Sequence, residues 1–311
     1  MMRLVIGVDG GGSRTRVLVC DDNAQELVHA EGAGSAVQPG NAERSAAIIA
    51  AAVQGALEQV PDGDAAPRIL CAGVAGTGST REREALTEAL AEYELAGEVL
   101  VRTDAEIGLE DAFGDGAGIL LIAGTGSIAF GRGPTGVQAR CGGWGPICGD
   151  EGGGYWIGRR ALSITTAALD GREPETALAG SILTMAESET PEGLVSWAAA
   201  ATTAQIAALA LVVIGAAERG DLRAESLLDL AAEELVVHLR SLARTLFQDE
   251  RAACAVALSG GLLAPGAMLR RRVEHRLRSA VPGASVAAGE VRADRGAVKL
   301  ALRHLGAVAP G

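Results

Sequence analysis

Two glycine-rich turns carry the residue types best suited to chemistry, and each follows an apolar run. The first reads Leu4-Val5-Ile6-Gly7-Val8-Asp9-Gly10-Gly11-Gly12-Ser13-Arg14-Thr15 and continues into Arg16-Val17-Leu18-Val19. The second reads Ile119-Leu120-Leu121-Ile122-Ala123-Gly124-Thr125-Gly126-Ser127 and continues into Ile128-Ala129-Phe130. Both read as strand, turn, strand. Gly10, Gly11 and Gly12 permit backbone geometry that other residues resist and let phosphate oxygens approach main-chain N–H groups. Ser13 and Thr15 add hydroxyl donors. Asp9, at the end of its strand, suits Mg²⁺ held through water, an ion that keeps much of its hydration; its plain alternative is a turn residue. The Thr125 hydroxyl suits a terminal phosphate or an acceptor. Two such hairpins, far apart in sequence, suit one polyphosphate gripped from two sides in a cleft between similar lobes.

Three further segments add to this set. Asp104 closes a strand-like run and opens a helical pattern, a position from which carboxylates point toward α/β ligands. It reads either as a helix N-cap or as the general base that takes a hydroxyl proton in phosphoryl transfer. The stretch Cys141-Gly142-Gly143-Trp144-Gly145-Pro146-Ile147-Cys148-Gly149-Asp150-Glu151-Gly152 gathers glycines, tryptophan and adjacent acids. An amphipathic ring beside an acid suits a sugar, which makes Asp150 and Glu151 sugar-hydroxyl candidates, or else helix N-terminal acids. Ser259-Gly260-Gly261 permits the flat approach of an adenine and ribose. Gly124-Thr125-Gly126-Ser127-Ile128-Ala129 formally fits G-x-G-x-x-A, but a strand rather than a helix follows it, so the dinucleotide reading fails. Neither turn ends as a P-loop does. His29, His238, His275 and His304 pair with no evident nucleophile and read as surface or boundary residues.

The elements that position these residues follow from the hydrophobic pattern. Strands are predicted near 3–9, 15–21 and 25–31, then a helix from Asn41, which would cap it, to about Gln59. A strand over 68–74, a helix capped by Ser79 or Thr80 and a strand over 98–102 follow. Strands near 118–123, 127–131 and 136–140 repeat the order. The pattern from Tyr155 to Gln248 is helical, and its stripe Leu227, Leu228, Ala231, Leu235, Leu239 and Leu242 reads as a core face. A strand over 253–258, a helix over 265–280, a short strand over 284–287 and a terminal helix over 294–305 complete the chain. This is an α/β protein with two lobes, residues 1–116 with the terminal helix 294–311, and residues 117–293 with a helical insertion over about 155–250.

At 311 residues, nearly half of them hydrophobic, the chain can build a substantial core. Its net charge of −12 disfavours binding to a nucleic-acid backbone, but not to ATP, whose charge is handled locally. Cys20, Cys71, Cys141, Cys148 and Cys254 form neither a disulfide framework nor a zinc pattern. The Ala198–Ala217 stretch reads as a buried helix rather than a membrane span, and a cytoplasmic setting is expected.

Taken together and in order, Gly7-Val8-Asp9-Gly10-Gly11-Gly12-Ser13, Thr103-Asp104-Ala105, Gly124-Thr125-Gly126-Ser127, Gly142-Gly143-Trp144-Gly145, Gly149-Asp150-Glu151-Gly152 and Ser259-Gly260-Gly261 resemble the N-acetylglucosamine kinase group of the BadF/BadG/BcrA/BcrD ATPase family, within the actin–Hsp70–sugar-kinase superfamily. The resemblance implies two ribonuclease-H-like lobes and an ATP-dependent amino-sugar kinase acting at the 6-hydroxyl, commonly a homodimer. It assigns Asp104 as catalytic base and Asp9 to Mg²⁺. It places Gly11, Gly12, Ser13, Thr15, Gly126 and Ser127 near phosphates, Thr125, Gly143, Trp144 and Asp150 on the sugar side, and Gly260 and Gly261 on the adenosine side. The family often has a sugar-contacting Asn after the third strand, where Ser35 or a neighbour falls here. N-acetylglucosamine, glucosamine and N-acetylmuramate therefore all stay open as acceptors. An activator-type ATPase and a nucleotide-dependent sensor are the rival readings.

Overall fold

A computed structural model describes residues 3–61 and 67–308. The chain divides into two compact units, residues 1–116 with 291–311, and residues 117–290. The first unit runs β1 (Leu4–Gly10), β2 (Arg14–Asp21), β3 (Glu26–Ala33), α1 (Ala42–Leu57), β4 (Pro67–Val74), α2 (Thr80–Ala91), β5 (Glu98–Arg102) and α3 (Asp104–Phe113). The second runs β6 (Gly118–Ala123), β7 (Ser127–Arg132), β8 (Gln138–Gly142), α4 (Gly145–Cys148), α5 (Gly154–Leu169), α6 (Ala177–Met185), α7 (Pro191–Ala200), α8 (Thr203–Glu218), α9 (Leu222–Phe247), β9 (Cys254–Ser259), α10 (Met268–Ala280) and β10 (Ala284–Val286). Helix α11 (Ala293–Val308) returns to the first unit.

The sheet orders are β3-β2-β1-β4-β5 and β10-β9-β6-β7-β8. Read from the opposite edge, the second repeats the first. In each, a three-stranded antiparallel meander adjoins parallel strands, the ribonuclease-H-like arrangement. Strand periodicity sorts the side chains of the first sheet. On β2, Val17 and Val19 face α1, where Ile49 and Val53 cover them. Leu18 and Cys20 face the opposite layer, with Ile107 of α3 and Val298 of α11. The stripe of α9 is buried in the core of the second unit. Among the described residues no helix is long and apolar enough to cross a membrane.

Several boundaries differ from the pattern-based expectation. β8 begins at Gln138 rather than Gly136, because Gly136 adopts φ +83° in a turn that Gly133 closes by donating to the Val137 carbonyl. α10 begins at Met268 rather than Pro265, since Gly266 at φ +79° interrupts it. Asn41 occupies the N-cap position of α1 but makes no side-chain cap bond. The long helical stretch breaks into five helices, α5 to α9, and the short α4 inside the tryptophan segment had no sequence signal.

Candidate active site

In the first unit, β1, β4 and β5 run parallel, so their C-terminal ends share one sheet edge. Asp9 is in register with Gly73, and Gly73 with Arg102. Asp9 and Asp104 therefore emerge at the same edge, from strands with β4 between them. The buried Thr77 hydroxyl ties that edge together, donating to the Val74 carbonyl at 2.7 Å and the Arg102 carbonyl at 3.0 Å.

Asp104 is not the helix cap. Thr103 takes that place, its hydroxyl accepting from the Glu106 N–H at 3.1 Å while Glu106 accepts from the Thr103 N–H at 2.7 Å. Two donors at the start of α3 are thereby satisfied without Asp104, which stands at the first helical position, half-buried, with Oδ1 accepting from the Ala105 N–H at 2.9 Å. Burial, and next the nearby Asp104 charge, push the Asp9 carboxyl up to about 6. The Arg16 guanidinium, 3.8 Å away, only partly offsets this. Two crowded carboxylates beside a glycine hairpin are a donor set that a hard cation with oxygen preference would relieve. Asp9 therefore fits Mg²⁺.

In the hairpin between β1 and β2, Gly12 and Ser13 are exposed. Neither Gly10 nor Gly11 has a left-handed φ, so unusual dihedrals are not why glycine stands there. At Gly10 the need is space: a Cβ would lie 2.6 Å from the Ser35 Oγ. Thr15 departs from its expected role. It is wholly buried, and its hydroxyl bonds the Ala33 carbonyl at 2.6 Å and Ser35 Oγ at 2.7 Å. It braces the hairpin and offers no hydroxyl to a phosphate. The same bond occupies the buried Ser35, which leaves it unsuited to touching a sugar.

In the second unit, the turn between β6 and β7 rests on the N-terminus of α5. Gly154 and Tyr155 donate to the carbonyls of Gly124 and Thr125, at 2.8 and 2.9 Å. Ser127 follows this turn with its side chain turned inward. It is buried, and its hydroxyl donates to the Glu151 carbonyl at 2.6 Å, turned toward the acidic loop. Thr125 and Gly126 remain half-exposed.

Asp150 is a non-glycine residue at φ +59°, a conformation that persists where the surroundings impose it. Its Oδ1 accepts from the Gly145 N–H at 3.2 Å, its carboxylate also accepts from the Ser127 N–H, and it packs on Gly126. Burial raises its pKa despite these bonds. Asp150 thus pins the second turn to the tryptophan loop. Since α5 is capped at Gly153, neither Asp150 nor Glu151 is a helix cap. Trp144 is 65% exposed. The Arg140 guanidinium lies 3.9 Å from its ring centroid and donates to the Gly142 carbonyl at 2.8 Å. The exposed Gly143 follows, bonded through its N–H to the Ser127 carbonyl.

Gly260, beside the exposed Gly261 at the end of β9, has φ +92°, and a Cβ there would collide with the Ala123 carbonyl. Only glycine lets this turn lie against β6.

Sequence reasoning missed His238. It is buried on α9, with Nε2 3.6 Å from Glu151 Oε2 and a buried Nδ1 without a hydrogen-bond partner. Its ring lies directly under Gly142. Burial lowers its pKa, while Glu151 and Glu234 pull the other way. The signal was its place in the apolar stripe, between Leu235 and Leu242 at helical spacing.

The family model for the BadF/BadG/BcrA/BcrD ATPase family matches residues 6–301. The chain belongs to that family. It is 30% identical over 264 residues, 84% of this chain and 86% of the other, to the N-acetylmuramic acid/N-acetylglucosamine kinase of Clostridium acetobutylicum. It is 29% identical to the N-acetyl-D-glucosamine kinase of Dictyostelium discoideum, covering 96% of this chain and 98% of that one. A crystal structure from Chromobacterium violaceum, described as a candidate N-acetylglucosamine kinase, superposes with a TM-score of 0.81 at 31% identity, covering 96% of this chain and 99% of that chain.

Proposed function

We propose that the protein is an ATP-dependent amino-sugar kinase that transfers the γ-phosphoryl group to the 6-hydroxyl of N-acetylglucosamine or a close relative. The observation that carries this reading is the placement of Asp104. It sits at the end of β5, relieved of capping by Thr103 and Glu106, on the sheet edge that also carries Asp9. The kinase names of relatives near 30% identity support it.

Asp104 orients the acceptor hydroxyl and takes its proton, a role worth roughly 10²–10⁴-fold in rate. Main-chain N–H groups of Gly12 and Ser13, and of Gly126 in the second unit, suit phosphate oxygens, whereas the Gly11 N–H closes the hairpin on the Arg14 carbonyl at 2.9 Å. Asp9 would hold Mg²⁺, and the ion would supply charge neutralisation. Trp144 offers an amphipathic face to the sugar, and Gly143, Thr125, Asp150 and Glu151 offer polar partners. Gly260 and Gly261 accommodate adenosine.

The test follows ADP release with a panel of N-acetylglucosamine, glucosamine and N-acetylmuramate, and locates the phosphate on the product by NMR. The expected result is sugar-dependent turnover that Asp104→Asn lowers by about 10² or more, with nucleotide affinity retained. Turnover like wild type in that variant removes Asp104 from its role. ADP release indifferent to every sugar removes the kinase reading.

A further inference from the structure

Helix α10 carries a charge opposite to that of the chain as a whole. Against a net charge of −12, it holds five arginines and one acid in 13 residues. Leu269, Val273 and Leu277 pack inward with Arg270, whose guanidinium donates to Glu274 at 2.7 Å and the Leu263 carbonyl at 3.2 Å. The outer face is different. Arg271, Arg272, His275, Arg276 and Ser279 line an open surface pocket together with Met268 and with Asp229 of α9. None of these residues belongs to the candidate active site.

The cations outnumber their partners. Asp229 accepts from Arg272 at 2.5 Å and lies 3.7 Å from Arg276, which also donates to Glu233 at 2.8 Å. Arg271 meets the backbone carbonyl of Gly266 rather than an acid. The Arg272 Nε–H is buried with no acceptor. Guanidinium groups this close repel one another, and an orphaned buried donor costs about 1–3 kcal/mol. An anion in the pocket relieves the repulsion, while the buried Arg272 Nε stays out of its reach.

We propose that this pocket binds a small phosphoryl-bearing ligand through Arg271, Arg272 and Arg276. A phosphoryl group brings up to two negative charges and matches the guanidinium fork bidentately. Met268 and the arginine stems give the pocket an apolar wall. One short basic helix on an acidic chain is no track for nucleic acid. Arg270 and Arg271 both tether the segment Leu263–Gly266 that follows Gly260 and Gly261, so a ligand that draws Arg271 from Gly266 loosens that turn. The proposal is independent of the kinase reading.

Calorimetric titration at constant ionic strength, without nucleotide, tests it with inorganic phosphate and with N-acetylglucosamine 6-phosphate as probes. Wild type is expected to bind one or both saturably. Binding of phosphate identifies free phosphate as sufficient, and binding of the sugar phosphate alone shows that the organic body is needed. Arg271→Gln with Arg272→Gln should weaken the binding about tenfold or more, while Arg278→Gln, on the same helix outside the pocket, leaves it unchanged. Asp229→Asn should tighten it, a direction that damage to the fold does not produce. No saturable binding of either probe, equal binding in the double variant, or equal weakening in Arg278→Gln overturns the proposal.

Discussion

Replacing Asp9 by Asn should stabilise the protein while removing activity. Burial and Asp104 lift its carboxyl from 3.8 to about 6, a difference worth about 3 kcal/mol at 1.36 kcal/mol per pKa unit. That net shift already contains the opposing attraction to Arg16 at 3.8 Å, and with the side chain 21% exposed, solvent screening trims the figure. A net gain of about 1–2 kcal/mol remains, or roughly 3–6 °C in melting temperature for a unit of this size. The unfolded chain ionises at the ordinary value and the folded chain only near 6. Wild type therefore loses stability as pH rises from 3.8 toward 6 and loses no more above it. The advantage of the variant should be small near pH 4, grow to pH 6 and level off by pH 8. Scanning calorimetry of both proteins across that range, with and without Mg²⁺ and ADP, measures it. Mg²⁺ with ADP should raise the melting temperature of wild type more than that of the variant. A variant that melts at or below wild type at pH 8, or a difference equal at pH 4 and pH 8, refutes the reasoning.

Three further outcomes are expected. Asp111, with a side chain 1% exposed, accepts from Arg295 and Lys299 and has a lowered pKa in spite of burial; Asp111→Ala should cost about 3 kcal/mol at neutral pH. That contribution should vanish in wild type as pH falls below 3.8, as urea titrations at several pH values report. Burial lowers the pKa of His238, so wild type should lose stability as pH falls through 6.5, and His238→Gln should flatten that loss in melts taken between about pH 8 and pH 5. Gly260→Ala should cost about 3 kcal/mol or more, from the φ of +92° and the clash with Ala123, read as a lower denaturation midpoint.

Much of the fold was legible because its strands are short apolar runs ended by glycine turns, as at Gly10 and Gly124. The two parallel histories of strands followed from repeating that pattern. The hydroxyl of Thr15 was misread because a turn motif shows which residues are near a ligand, not which way they point. Alternation held the missing signal: Thr15 shares a face with Val17 and Val19, and Ser127 with Ala129, all buried. Asp104 was ambiguous because Thr103 and Asp104 are both good caps, and only the reciprocal bonds with Glu106 separate them. His238 was hidden by distance, since its partner Glu151 lies on a loop 87 positions earlier in the numbering.

The return of α11 to the first unit has a consequence for synthesis on the ribosome. Ala297, Val298 and Ala301 complete the layer over Val5, Leu18, Ile69 and Ile107, yet they are translated after the whole of the second unit. The middle of the chain holds the whole of its own core once it has emerged, whereas the amino-terminal sheet waits with one oily face covered by α3 alone. Ribosome stalling or frameshifts just before Ala293 should therefore yield a product with a finished second half and a first half exposed to chaperones and proteases.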